Sequence, residues 1–199
     1  MAVVKCEPKV VFSETQLQNW IKKYGIKVYR EGKFLRKYRP NQKEVELKAI
    51  KSVDVDLFGK KIIKNKEKTI GRVDLVEEYK TVVYLFELKG IKAGRKEFSQ
   101  AFSYLSYYES LMQVWKKLGY IQKGARAPKS IVFLVAPDFD SEGAWVVPTK
   151  YENRVIPVKY EVTWSPTKGR NKYKIDLPIE GHIISIRQMK SEAIPEYGD

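Results

Sequence analysis

Apolar and polar positions alternate along this chain in two periods, and the changes of period mark out its elements. Residues 69–77 (TIGRVDLVE) and 81–89 (TVVYLFELK) are rich in β-branched and aliphatic residues. They flank Glu78, Tyr79 and Lys80, a polar interruption of hairpin-loop length. From Arg95 to Leu118 the apolar residues Phe98, Ala101, Phe102, Leu105, Met112 and Trp115 fall at helical spacing. Lys129 to Pro137 (KSIVFLVAP) is a nearly unbroken apolar run, which predicts a strand buried on both faces and reached through a helical crossover. Upstream, Ser13 with Gln16 resembles a capping box opening a helix to Tyr24, ended by Gly25. Gly25 to Pro40 reads as β-rich, and Gln42 to Lys51 as a short helix carrying Leu47 and Ile50. After Pro137 an acidic loop, Asp138 to Gly143, leads to short strands near Trp145–Pro148, Arg154–Trp164, Tyr173–Leu177 and His182–Ile186. Ser191 to Asp199 reads as a frayed tail. The order helix, hairpin, helix, strand predicts an α/β fold in which helices flank a central mixed sheet, with a C-terminal β-rich extension.

Charge at the end of the predicted hairpin changes the picture. Side chains alternate along a strand, so Glu87 and Lys89 share a face with Val83 and Leu85. A loop of Glu78 to Thr81 would set Asp74 opposite Leu85 and diagonal to Glu87, on that same face. Charge buried without a partner is strongly disfavoured, and a bound cation is one natural partner. Two carboxylates offer hard oxygen ligands to Mg²⁺ or Mn²⁺, which acidify a bound water and neutralise charge on a phosphodiester. A neighbouring ammonium can orient that water and stabilise the transition state. The ordinary alternative is a surface salt bridge. Gln100 and Tyr104 lie one helical turn apart on the flank of the long helix's apolar stripe, within reach of the sheet edge. On the short helix, Glu44 (one turn before Leu47) and Glu46 (one turn before Ile50) have equivalent claims to supply a third carboxylate.

These residues resemble the PD-(D/E)XK nuclease superfamily. Asp74 matches its hairpin aspartate, Glu87-x-Lys89 its core triplet and Glu44 its helical acidic residue. Gln100-x-x-x-Tyr104 is similar to the Q-x-x-x-Y signature of the RecB-like branch. Residues 44–137 are similar in particular to the catalytic domain of NucS-type endonucleases, through Glu44 to Leu47, Gly71 to Leu75, Glu87 to Lys89, Gln100 to Leu105 and Ala136-Pro137. The resemblance covers about half the chain, and residues after Pro137 have no counterpart in it. It implies a restriction-endonuclease-like core at about 41–137 within a single domain of 1–199, between an N-terminal basic segment (1–40) and the extension (138–199). It also implies a Mg²⁺- or Mn²⁺-dependent deoxyribonuclease, an endonuclease more than an exonuclease; branched, flap or mismatched DNA are candidate substrates, a preference that the resemblance does not carry over. Asp74 and Glu87 would hold the metal, with Glu44 beside them. Lys89 would position the water, Gln100 would orient Lys89 or the scissile phosphate, and Tyr104 would pack behind it or touch the backbone. Two alternatives remain open: a Holliday-junction resolvase acting as a homodimer, and a DNA-binding protein that keeps the fold without catalysis.

Composition agrees with a polyanionic partner. The 199 residues carry 38 Lys plus Arg against 24 Asp plus Glu, a formal net charge of +14, which favours nucleic acid through counterion release. Arg72, Lys92, Arg95 and Lys96 lie closest in sequence to the candidate site and are the expected DNA contacts. From Trp20 to Lys43, nine basic residues face one acid, Glu31, and interleave with Trp20, Tyr24, Tyr29, Phe34 and Tyr38. That segment reads either as a strand-tracking surface or as a hairpin whose aromatic residues face the core. A second basic cluster, Lys168, Arg170, Lys172 and Lys174, surrounds Gly169. Cys6 is the only cysteine, so an intramolecular disulfide or a cysteine-ligated zinc or iron–sulfur centre is excluded. His182, the only histidine, reads as structural. No P-loop pattern, signal peptide or membrane-length apolar run is present, and the expected location is the cytoplasm.

Overall fold

The computed structural model describes residues 12–50, 54–55, 61–62, 67–117, 129–161 and 179–193. Tyr173–Leu177, the Lys168–Lys174 cluster, Cys6 and the end of the tail lie outside the described residues. The first helix, α1 (Glu14–Tyr24), begins with the expected capping box, Ser13 and Gln16 exchanging side-chain and backbone hydrogen bonds. It ends at Gly25, whose φ of 81° suits a residue without Cβ. Strands β1 (Ile26–Arg30) and β2 (Lys33–Tyr38) form a hairpin across Glu31 and Gly32. Both turn residues have positive φ, as the two-residue turn that matches strand twist requires.

The segment expected to be a helix carrying Glu44 is instead strand β3 (Gln42–Ile50). Its sequence also alternates, with Val45, Leu47 and Ala49 spaced by two. A nine-residue run cannot separate the two periods by itself, and pairing along the neighbouring long strand selects the extended form. Two short strands, β4 (Asp54–Val55) and β5 (Lys61–Ile62), pair with each other. The predicted hairpin is β6 (Glu67–Tyr79) and β7 (Val82–Leu88), followed by α2 (Arg95–Lys117) and β8 (Lys129–Ala136). The strand expected near Trp145 is a 3₁₀ turn, Ser141–Val146. There Gly143 nestles against the start of α2, where a Cβ would come within 2.7 Å of the Phe98 ring. Strands β9 (Val155–Glu161) and β10 (Ile179–Ile183) follow. The last predicted strand stops at Ile183, because Ser185 caps α3 (Ile186–Glu192) by accepting from the Gln188 N–H.

Eight strands form one mixed α/β sheet in the order β2-β1-β10-β9-β8-β7-β6-β3. Strands β7, β8 and β9 run parallel, β1 is parallel to β10, and the remaining pairs are antiparallel. The edge strands β2 and β3 are separated by only residues 39–41, so the sheet must curl until its edges approach. Glu77 on β6 secures that closure by taking the Arg36 guanidinium of β2 and the Arg39 N–H. The Asn41 N–H donates to the Val76 carbonyl at 3.1 Å. Inside the curl, Leu75, Phe86, Phe133 and Tyr38 pack with Leu17 and Ile21 of α1. On the outer face, Phe98, Ala101 and Leu105 of α2 cover Val73, Leu85, Val132 and Leu134. Each core side chain leaves water with about 25 cal/mol per Å² of apolar area, and the two layers fix β7 between them. No helix among the described residues is long and apolar enough to cross a membrane.

Candidate active site

Glu87 sits one residue before the end of the central strand β7, with 1% of its surface exposed. Phe86 and Leu88 on either side face the interior of the curl, so alternation turns Glu87 toward the α2 face. The hairpin turn is two residues, Lys80 and Thr81, rather than the longer loop expected, and Val76 rather than Asp74 pairs with Leu85. Continuing that register sets Asp74 opposite Glu87. Alternation breaks just beyond the ladder, Val73 packing with α2 while Leu75 lies inside the curl, so the grouping rests on the contacts of Asp74 itself and on its charge acting on Glu87. The ladder ends at Leu75–Phe86. Beyond it the Asp74 carboxylate accepts the Leu88 N–H at 2.7 Å, and the Asp74 carbonyl accepts from the Gln18 side chain at 3.0 Å.

The carboxyl oxygens of Glu87 have different surroundings. Oε1 lies 2.8 Å from Lys89 Nζ, whereas Oε2 is buried with no hydrogen-bond partner among the described residues. Burial, then the charge of Asp74, push the Glu87 carboxyl up to about 7 against the smaller opposing pull of Lys89. Burial alone would lower the Lys89 pKa, but its hydrogen bond to Glu87 and the charges of Glu87, Glu14 and Asp74 hold it above its ordinary value. Glu14, the first residue of α1 and 53% exposed, reaches Lys89 Nζ at 3.5 Å. Sequence reasoning missed both Glu14 and Gln18. They come from a helix more than fifty residues upstream, and the only local signal was an acidic residue in a capped first turn.

Gln100 does not reach toward Lys89 as expected. Its amide donates to the Tyr104 hydroxyl at 2.6 Å, and that hydroxyl donates to the Arg72 carbonyl at 2.9 Å. The pair therefore pins α2 to β6 two residues before Asp74. Burial raises the Tyr104 hydroxyl to about 12, so it remains a donor. Gly71 makes room for the ring, since a Cβ there would come within 2.7 Å of it. Glu44 lies on β3, where Lys43–Leu75 and Val45–Val73 pairing brings its backbone opposite Asp74, while Glu46 pairs with Arg72.

The four expected DNA contacts, Arg72, Lys92, Arg95 and Lys96, are all exposed. Arg95 and Lys96 occupy the first turn of α2. Lys92 belongs to a loop fixed by Ala93, whose N–H donates to the Asp138 carbonyl and whose carbonyl accepts the Asp140 N–H. The hydrogen bond from Lys159, with added charge from Lys92, holds the Asp138 carboxyl below its ordinary pKa. Among the described residues no group of three or more His, Cys, Asp or Glu side chains is gathered for a metal. Asp74 and Glu87 are the pair that fits one. They offer hard oxygen donors, and a buried carboxylate oxygen without a proton donor is the kind of group a divalent cation satisfies. No protein-family model matches the chain, nor does any curated protein or solved structure.

Proposed function

We propose that this protein is a divalent-metal-dependent deoxyribonuclease of the PD-(D/E)XK kind, with Asp74, Glu87 and Lys89 as its catalytic set. The observation that carries the reading is Glu87: a carboxylate buried on a central strand, tied to Lys89 through one oxygen and unpartnered at the other, with Asp74 beside it. Such an arrangement is costly to build for stability alone. Support also comes from the order of elements, with helix α1, the antiparallel run β3-β6-β7, the crossover helix α2 and parallel β8.

When bound by Asp74 and Glu87, Mg²⁺ or Mn²⁺ would supply an acidified water and neutralise charge on the phosphodiester. Lys89, held protonated by Glu87 and Glu14, presents N–H donors that orient a water and stabilise negative charge building on phosphate oxygens. Gln100 and Tyr104 act at one remove, fixing the β6 backbone that carries Asp74. Glu14 adds a helix-borne acid at Lys89, while Glu44, its backbone opposite Asp74 on β3, keeps its claim to the third carboxylate. Arg95 and Lys96 stand where the helix dipole disfavours cations, a conflict that a phosphate bound there relieves. The net charge of +14 supplies the long-range attraction.

The test is to incubate purified protein with single-stranded, duplex, flap, mismatched and four-way-junction DNA in Mg²⁺ or Mn²⁺. Metal-dependent incision of at least one substrate, absent in EDTA, is expected. Tight binding without incision in either metal would contradict the proposal.

A further inference from the structure

The hairpin β1–β2 and strands β10 and β9 expose a face whose side chains lie in register. Phe34 pairs with Tyr29, Tyr29 with His182, His182 with Lys159, and Lys159 with Ala136 on β8. The β7–β8 register sets Leu88 beside Val135, and the Lys89 N–H donates to the Val135 carbonyl at 2.8 Å. The next residue pair in that register is therefore Lys89 with Ala136. Paired residues share a face, so a single transverse row runs from an aromatic cluster to the candidate catalytic lysine. Five strand spacings of ~4.8 Å make it roughly 24 Å long.

The row begins with rings in contact. Tyr29 stacks on His182 with centroids 5.4 Å apart and meets the edge of Phe34 at 5.6 Å. Phe34 is 56% exposed, an unusual setting for a phenyl ring, and Leu35 beside it is 48% exposed. The neighbouring row is of mixed sign, with its cationic end beside the rings: Lys37 pairs with Lys27 on β2 and β1, and Lys27 with Glu180 on β10; burial together with the charges of Arg39 and Lys27 lowers the Lys37 pKa. On the same face, Glu180 is answered by Lys27 at 4.0 Å and by the Tyr29 hydroxyl at 3.3 Å, while Glu161 pairs with Glu180. Ala136 itself is fully covered. Between the aromatic cluster and Lys89 the surface cations are Lys159 and Lys92, on either side of Asp138.

From this juxtaposition we infer that single-stranded DNA lies across the outer face of β2, β1, β10 and β9, its bases stacking on Phe34 and Tyr29 and its backbone led past Lys159 and Lys92 toward Lys89. An exposed ring, Phe34, beside the partly exposed Tyr29 and next to cations suits unpaired bases, whose faces are free to stack, whereas a duplex hides its base faces. The binding surface stands on its own residues; only its destination rests on the nuclease reading.

Fluorescence anisotropy with labelled oligothymidylate of about 12 nucleotides, in EDTA so that nothing is cut, tests the surface directly. Tyr29→Ala combined with Phe34→Ala should weaken binding about tenfold or more and leave the salt slope unchanged. Phe34→Trp should bind at least as tightly as wild type. Lys27→Ala with Lys37→Ala should reduce the log–log salt slope by about 1.4, two cations at ~0.7 each. Phe34→Ala alone guards against misfolding, because its ring is exposed; it should keep the melting temperature and still weaken the complex. Unchanged affinity in the aromatic variants, equal loss on a blunt duplex, or a change in sedimentation in place of a change in binding would overturn the inference. A wild type that never cuts in Mn²⁺ but shows these binding losses would sink the nuclease reading and leave the surface intact. A wild type that cuts while the aromatic variants bind and cut like it would do the reverse.

Discussion

The proposed chemistry centres on Glu87, and the protonation of its carboxyl links the candidate site to stability. In the unfolded chain its carboxyl titrates near 4.5, whereas in the folded protein burial and Asp74 raise it to about 7. Below the lower value both states are protonated. Between the two values the folded state holds a proton that the unfolded state has lost, so stability falls as pH rises through this window, by on the order of 3 kcal/mol, and then levels off. Denaturation midpoints in EDTA from about pH 5 to about pH 8 should show this fall in wild type and lose most of it in Glu87→Gln. Mn²⁺ favours the ionised carboxylate, so it should raise the wild-type melting temperature more at the alkaline end than at the acid end. A metal shift of equal size in Glu87→Gln would place the cation elsewhere.

At the scale of elements, the site depends on how α2 and β6 meet. Tyr104→Phe removes the hydroxyl between Gln100 and the Arg72 carbonyl and should cost about 1–2 kcal/mol, read by urea denaturation. Gly71→Ala should cost about 1–3 kcal/mol through its clash with the same ring, and Tyr104→Ala should relieve part of that loss, so the double variant should fall short of additive. Both Gly71 and Tyr104 stood out in the sequence, but not their dependence on each other, because contact between β6 and α2 leaves no local signature. The hairpin and the crossover strand were legible because their apolar runs are long. Asp74 and Glu87 were legible as neighbours because the hairpin brings their strand segments together, although alternation breaks between Val73 and Leu75. The short segment bearing Glu44 was not, since its helical and extended periods compete and a distant partner strand decides between them. Glu14 was hidden for a related reason: nothing in a capped first turn reveals that it will meet Lys89.

At the scale of the whole molecule, the sheet closes on itself through Arg36 and Glu77. Glu77→Gln leaves the Arg36 guanidinium without its counter-charge and should lower stability by roughly 3 kcal/mol, whereas replacing both with apolar residues should cost less. The positive charge is likewise a property of the molecule. Neutralising Lys92, Arg95 and Lys96 together should flatten the salt dependence of DNA binding and weaken unrelated sequences about equally. An affinity nearly independent of salt would point to base readout instead. The proposed function requires that Asp74, Glu87 and Lys89 hydrolyse DNA together. The most direct measurement is cleavage of end-labelled DNA in Mn²⁺ by wild type, Asp74→Asn, Glu87→Gln and Lys89→Met purified in parallel. The predicted result is incision by wild type alone, with each variant slower by about 10²-fold or more while still binding DNA; cleavage by the variants at the wild-type rate would contradict it.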